Sequence, residues 1–220
     1  MALKEALSGI ALAITLMAGA ASAATLSIDG GTAGTIPGGK AKNDALMPLF
    51  GTNSLDGFYN AAIRLAGPAK VTFSYFGTEA SWKNTFNTAT GSFSNKSQPN
   101  NTWSVSGFES YMEIMGAGLA QFSFSTNGGG GASPTPPTTV KNGENDTTGV
   151  TFFASIAGNP TGRTGKSVWL FFDDGGAGPN DNHDDMVVRM DVAPIPLPAA
   201  GFMLLAGLGG LALVKRRKAA

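Results

Sequence analysis

The densest group of residues able to do chemistry lies late in the chain. It runs Asp173-Asp174-Gly175-Gly176, then Asn180-Asp181-Asn182-His183-Asp184-Asp185. Five carboxylates so close in sequence repel one another unless they are spaced, neutralised or bridged by a cation. Calcium suits carboxylate and amide oxygens in a Gly-rich loop, which makes Asp173, Asp174, Asp181, Asp184 and Asp185 its candidate ligands. The spacing is not that of an EF-hand, because no Glu stands twelfth from Asp173 or from Asp181, and the calcium-binding β-helix repeat is missing too. A second reading competes: a polar hairpin whose Asp and Asn side chains cap turn backbone and keep a sheet edge soluble.

His183 is the single histidine of the chain. A Ser-His-Asp hydrolase would have to use it as general base, yet no G-x-S-x-G elbow accompanies it, so it reads as a solvated turn residue. Glu79, in Gly77-Thr78-Glu79-Ala80-Ser81-Trp82, follows an apolar run and falls at a strand end. Paired with Asp184 or Asp185 it would mimic a glycosidase carboxylate pair; paired with Lys83, or capping backbone, it is an ordinary turn residue. Trp82 and Trp103 stand among Asn, Ser and Thr, as sugar-stacking rings do, whereas Trp169 in VWLFF reads as core. Asn95, Asn100 and Asn145 open N-x-S/T tripeptides, read here as chance matches.

The elements that must position these residues are short strands. VTFSYF (Val71 to Phe76) places Val71, Phe73 and Tyr75 on one face. TWSVSGF alternates through Trp103 and Val105, and QFSFS through Phe122 and Phe124. VTFFASI (Val150 to Ile156), VWLFF (Val168 to Phe172) and MVVRMDV (Met186 to Val192) complete the set. All are rich in β-branched and aromatic residues and bounded by turn formers. One weak helical pattern covers Leu55 to Leu65. Residues 127–142, with GGGGASPTPPTTVK at their centre, read as a long surface loop inside one domain, since three strand patterns after it are too few to bury a core alone. The expected fold is all-β: a single antiparallel β-sandwich or jelly-roll-like domain over residues 24–193, flanked by an N-terminal signal helix and a C-terminal transmembrane helix.

Both ends read as addresses. Lys4, an apolar stretch from Ala6 to Ala20 and the small-residue site Ala21-Ser22-Ala23 form a signal-peptide pattern over residues 1–23, with cleavage by signal peptidase at Ala23. At the other end, residues 194–220 combine alternating prolines, an uncharged run from Ala199 to Val214 and the basic cluster Lys215, Arg216, Arg217 and Lys218. A 16-residue helix is about 24 Å long, marginal for a hydrocarbon core of about 30 Å. The basic cluster would stay on the cytoplasmic side, leaving residues 24–194 outside. A plain single-pass anchor is one reading of this tail. Its three-part order resembles the PEP-CTERM class of bacterial sorting tags, and most closely the VPLPA variant, which Ile195-Pro196-Leu197-Pro198-Ala199 matches with Ile for Val. Pro196, Leu197, Pro198 and Ala199 are then the sorting motif. The resemblance implies processing by an exosortase, a membrane transpeptidase that releases or re-attaches the outer part, and a protein held only transiently in the inner membrane.

Composition narrows the classes that remain. The 220 residues include 31 Gly and 12 Pro, no Cys and a net charge of zero. No disulfide scaffold or zinc ribbon is possible, no basic stripe marks a nucleic-acid partner, and a long helical bundle is disfavoured. Because four of the 15 basic residues lie in the final tail, the middle of the chain is mildly acidic. The expected function is a non-enzymatic, exported surface or extracellular-matrix protein. The alternative is a lectin-like domain that binds exopolysaccharide, with calcium as its cofactor; a secreted hydrolase using a carboxylate pair is a third reading.

Overall fold

A computed structural model of the chain describes residues 24–38, 42–127, 138–145, 149–175 and 182–195. The chain divides into a compact unit of Ala24–Ala193 and a second unit of Met1–Ala23 with Pro194–Ala220. Only Pro194 and Ile195 of the second unit are described. Among the described residues no helix is long and apolar enough to cross a membrane.

Ala24–Ala193 is built of antiparallel strands. In chain order they begin with β1 (Leu26–Ile36), a five-residue helix α1 (Leu46–Phe50), β2 (Leu55–Leu65), β3 (Ala69–Thr78), β4 (Asn84–Asn87) and β5 (Ser92–Ser94). They continue with β6 (Thr102–Trp103), β7 (Glu109–Met115), β8 (Gly118–Leu119), β9 (Ser123–Thr126) and β10 (Thr139–Lys141). The last are β11 (Thr151–Ile156), β12 (Thr164–Gly165), β13 (Ser167–Asp173) and β14 (Met186–Pro194). A large sheet runs β12-β1-β2-β11-β13-β14-β3-β6, with β7 also on β3 and β8 on β2; a small sheet runs β10-β9-β4-β5.

The two sheets share an aromatic core. One face of the large sheet gives Val71, Phe73, Phe152, Leu170, Phe172 and Val188; the small sheet gives Phe86, Phe93, Phe124 and Val140. Phe124 stacks on Phe172 with ring centroids 4.9 Å apart, and Phe73 meets Phe86 at 5.0 Å. The opposite face of the large sheet carries a second cluster, Phe76, Phe153, Phe171 and Val187, covered by Ile36, Ala45 and Leu46. Strands buried on both faces read as continuous apolar runs, which is why VTFFASI, VWLFF and MVV show so little alternation.

Three expectations are corrected here. Leu55 to Leu65 is not helical but is β2, paired from end to end with β1 except at Asn60. Its alternation changes phase in the middle. Phe58 joins the inter-sheet core, Tyr59 packs on the other face, and after Asn60 it is Ala61, Ile63 and Leu65 that face the core. Asn60 has φ 55°, opposite Gly30 and Gly31 at 63° and 72° in β1, so both strands turn over together at one left-handed kink. Val105 is not inward-facing: it is 75% exposed, and the strand there stops at Trp103. The expected loop over 127–142 ends in a strand instead, β10, whose Val140 is buried against β9.

Phe124 links the two sheets, and its ring is fully enclosed. Phe124→Ala is expected to cost about 3–5 kcal/mol of unfolding free energy, read as a lower urea midpoint with an unchanged m-value.

Candidate functional site

β13 and β14 are adjacent strands in the middle of the large sheet, and the acidic sequence forms their connection. The polar-hairpin expectation is therefore corrected in one respect: these side chains do cap backbone, but in the interior and not at a sheet edge. Asp173, Asp174, Asp184 and Asp185 are all buried, and Asp184 is fully enclosed. Asp185 Oδ2 accepts the Asp174 N–H at 2.7 Å, and Asp173 Oδ1 accepts the Gly175 N–H at 2.8 Å. Asp184 Oδ2 accepts the N–H of Asp44, and the Asp184 carbonyl accepts the Glu79 N–H at 3.0 Å.

His183 is not a solvated turn residue either. It is 1% exposed, held at φ 57°, and its Nε2 shares a hydrogen bond with Thr151 Oγ1 at 3.1 Å. Its Nδ1 lies 3.8 Å from Asp173 Oδ2, and its ring packs edge-on against Tyr59 and Phe153. A general base must reach its substrate's proton; this imidazole is sealed behind aromatic rings.

Residues distant in sequence complete the corner. Asn43 Nδ2 donates to the Asn182 carbonyl at 2.6 Å, while Asn43 Oδ1 accepts the N–H groups of Ala45 and Leu46 that open α1. Thr78 Oγ1 donates to the Asp185 carbonyl at 2.6 Å, and Asn84 Nδ2 donates to Asp174 Oδ2 at 2.7 Å. Asn95, fully buried, holds the 78–84 turn: its Nδ2 donates to the Trp82 carbonyl at 2.7 Å and its Oδ1 accepts the Asn84 N–H at 2.9 Å. Asn145 is likewise consumed, bridging to both backbone groups of Phe152, so neither Asn side chain is open to glycosylation in the folded domain. Asn43, Asp44, Asn84, Asn95 and Thr151 carried no sequence signal for this role, apart from Asn43-Asp44 as polar residues just ahead of the apolar run of α1.

Glu79 follows β3 directly and borders this corner through its backbone, its N–H bonded to the Asp184 carbonyl at 3.0 Å. Burial, then the charges of Asp44 and Asp174, raise the Glu79 carboxyl above its usual range. Burial raises Asp174 as well, opposed by the Asn84 hydrogen bond. Burial first, then the neighbouring Asp174 and Asp173, pushes Asp185 well above the usual carboxylate range. Asp184 is pushed up to about 7, chiefly by burial, against the Asp44 N–H that favours its ionised form. Burial thus favours the protonated form of each of these carboxyls.

Among the described residues no three Asp, Glu, His or Cys side chains are arranged to hold a metal ion, so an all-carboxylate calcium site is not assembled there. Asp181, Ala21, Ala23, Pro196, Leu197, Pro198, Ala199, Lys215, Arg216, Arg217 and Lys218 lie outside the described residues. Trp82 and Trp103 are both half-buried, but Trp103 packs on the second apolar cluster and Trp82 belongs to neither cluster. Trp169, expected in the core, is half-buried, edge-on to Phe50 and Phe76 and capped by Arg189.

A carboxyl raised in the folded state stabilises the fold fully below its unfolded pKa, about 3.9 for Asp, and loses that contribution as pH rises through its folded value. With Asp184 near 7, the melting temperature in chelator-containing buffer is expected to fall between pH 4 and 8. A flat or rising profile would show the corner ionised throughout.

No family model matches this chain, and no curated protein or solved structure does so either.

Proposed function

We infer that this chain is a non-enzymatic protein of the bacterial cell surface or extracellular matrix. Its two sheets act as a single β-sandwich delivered by an N-terminal signal helix and a C-terminal transmembrane sorting helix. One observation carries the non-enzymatic part: His183 and the four described aspartates of the cluster are buried, with Asp173, Asp184 and Asp185 bonded to backbone N–H groups, Asp174 to Asn84 and His183 to Thr151. Groups spent in this way hold the chain and cannot meet a substrate. The exported part rests on the terminal patterns and on where the compact unit begins and ends, Ala24 and Ala193. Signal peptidase would cut at Ala23, and an exosortase at Ile195-Pro196-Leu197-Pro198-Ala199.

Intact-mass and C-terminal peptide mapping of the protein from the envelope and medium of its native host tests this. The expected species starts at Ala24 and ends between Pro194 and Ala200. A membrane-bound species that keeps Lys215 to Lys218 would replace sorting with a permanent anchor.

A second reading, a carbohydrate-binding face, is favoured by Trp82. Its indole stands outside both apolar clusters, while its backbone carbonyl is fixed by Asn95. Aromatic faces on a fixed backbone stack on sugar rings at low entropic cost. Retention of the full chain on the host's exopolysaccharide is expected to be lost in Trp82→Ala and kept in Trp103→Ala. Equal retention of both variants and the wild type removes this reading.

A further inference from the structure

The two edges of the large sheet are finished differently. At one edge β1 is covered. β12 pairs with Leu26 and Ser27, and the Ile28 N–H donates to the Arg163 carbonyl at 2.8 Å. The Arg163 guanidinium donates in turn to the carbonyls of Ile28, Gly30 and Gly31. The left-handed kink at Gly30 and Gly31 then breaks the line of the edge, and the Thr35 carbonyl accepts the Tyr59 hydroxyl at 2.8 Å. Kinks, short covering strands and cations at the rim keep other chains from pairing with a sheet.

The other edge has none of these. β7 pairs with β3 from Glu109 to Met115, and among the described residues its backbone is hydrogen-bonded to nothing else. Its inner row, Tyr111, Glu113 and Met115, is turned to the core: Tyr111 meets Phe93 of β5 at 4.8 Å, and Glu113 accepts the Thr90 hydroxyl at 2.6 Å. Its outer row is Ser110, Met112 and Ile114, of which Met112 is 50% and Ile114 68% exposed. No Pro, Lys or Arg stands in the strand. A bare edge with an apolar outer row is a template for a further strand.

Charge selects which strand fits. The charged residues of β7 are Glu109 and Glu113, both on its inner row. Two copies of β7 laid antiparallel about a twofold axis at Met112 pair from end to end: Glu109 faces Met115, Ser110 faces Ile114, Tyr111 faces Glu113, and Met112 faces its own copy. Centred on Tyr111 the pairing opposes Glu109 to Glu113, and centred on Glu113 it opposes that carboxylate to its own copy, and like charges directly opposite are destabilising. Of the registers that pair most of the strand, only the one at Met112 keeps the carboxylates apart. It also joins Met112 and Ile114 of both copies into one apolar strip, through the diagonal contacts of an antiparallel pair. A head-to-tail fibre would need the β1 edge as well, and that edge is covered.

We propose that β7 is a homodimer interface: a second copy of this chain adds its own β7 antiparallel across a twofold axis at Met112, continuing the large sheet from one copy into the other. The chain has no cysteine, so a single introduced thiol reports on one position. Directly opposed residues of antiparallel strands have Cα atoms about 4.5–5.5 Å apart, within the reach of a disulfide.

The test is sedimentation velocity of the full chain in detergent over a concentration series, with mild oxidation of Met112→Cys and Val105→Cys variants. The wild type is expected to be a reversible dimer. Met112→Cys is expected to form an intermolecular disulfide at least about tenfold faster than Val105→Cys, whose position is more exposed, at 75%, but lies outside β7. Ile114→Lys changes an exposed side chain, so it is expected to keep the wild-type circular dichroism and to weaken the dimer at least about tenfold. A wild type that is monomeric at every concentration overturns the proposal, even if the edge captures an unrelated peptide strand. A dimer undiminished by Ile114→Lys, or a disulfide formed as fast in Val105→Cys as in Met112→Cys, places the contact elsewhere and overturns it equally.

Discussion

A carboxyl group taken out of water loses its hydration, and several taken out together repel one another as well. The β13–β14 corner submits to both costs, and the surrounding fold is arranged to offset them. Backbone N–H groups from Asp44, Asp174 and Gly175 point at Asp184, Asp185 and Asp173. Side chains from Thr78, Asn84 and Thr151 reach in from β3, β4 and β11. These partners come from five separate segments, so the corner can be satisfied only when those segments are all in place. Remove its polar partners, and the segment before α1 loses its attachment to the sheet.

That attachment explains why the large sheet is covered on its second face. Asn43 and Asp44 are fastened to Asn182 and Asp184, and Ala45 and Leu46 follow at once, both fully buried on Phe76, Phe153, Phe171 and Val187. Phe50 then closes over Trp169 at 4.9 Å. Helix α1 is too short to be stable alone. It persists because Asn43 caps its first N–H groups, Gly51 ends it at φ 68°, and its apolar side meets the sheet. Polar fastening and apolar burial are thus neighbours along the chain, each fixing the geometry the other needs.

What could be read from the sequence follows from the same physics. Period-two runs such as Val71-Phe73-Tyr75, and apolar runs such as VWLFF, mark their strands wherever one or both faces are covered uniformly. β2 was hidden because its phase reverses at Asn60, which turns a strand pattern into one that scans as a helix. β4, β5 and β10 carry a single buried Phe or Val each, amid Asn, Ser and Thr, and were too short to show a period. The acidic corner was visible as a group of residues but not as an interior. The partners that permit its burial, Asp44 and Asn84, lie 140 and 90 residues away, and no local pattern records them.

The same construction bears on how the chain can be trimmed at its ends. The last core side chain is Val192, whose N–H is bonded to the Lys166 carbonyl; Ala193, Pro194 and Ile195 beyond it are exposed. At the other end Ala24 and Leu26 are already buried, and Leu26 pairs with Leu65 and Gly165. Among the described residues, a cut before Ala24 or after Pro194 therefore removes no member of either apolar cluster and no partner of the acidic corner. Loss of even one buried apolar side chain costs several kcal/mol, a large share of a domain's net stability. The described core stops short of both proposed cleavage points, so every one of its side chains remains in the chain after either cut.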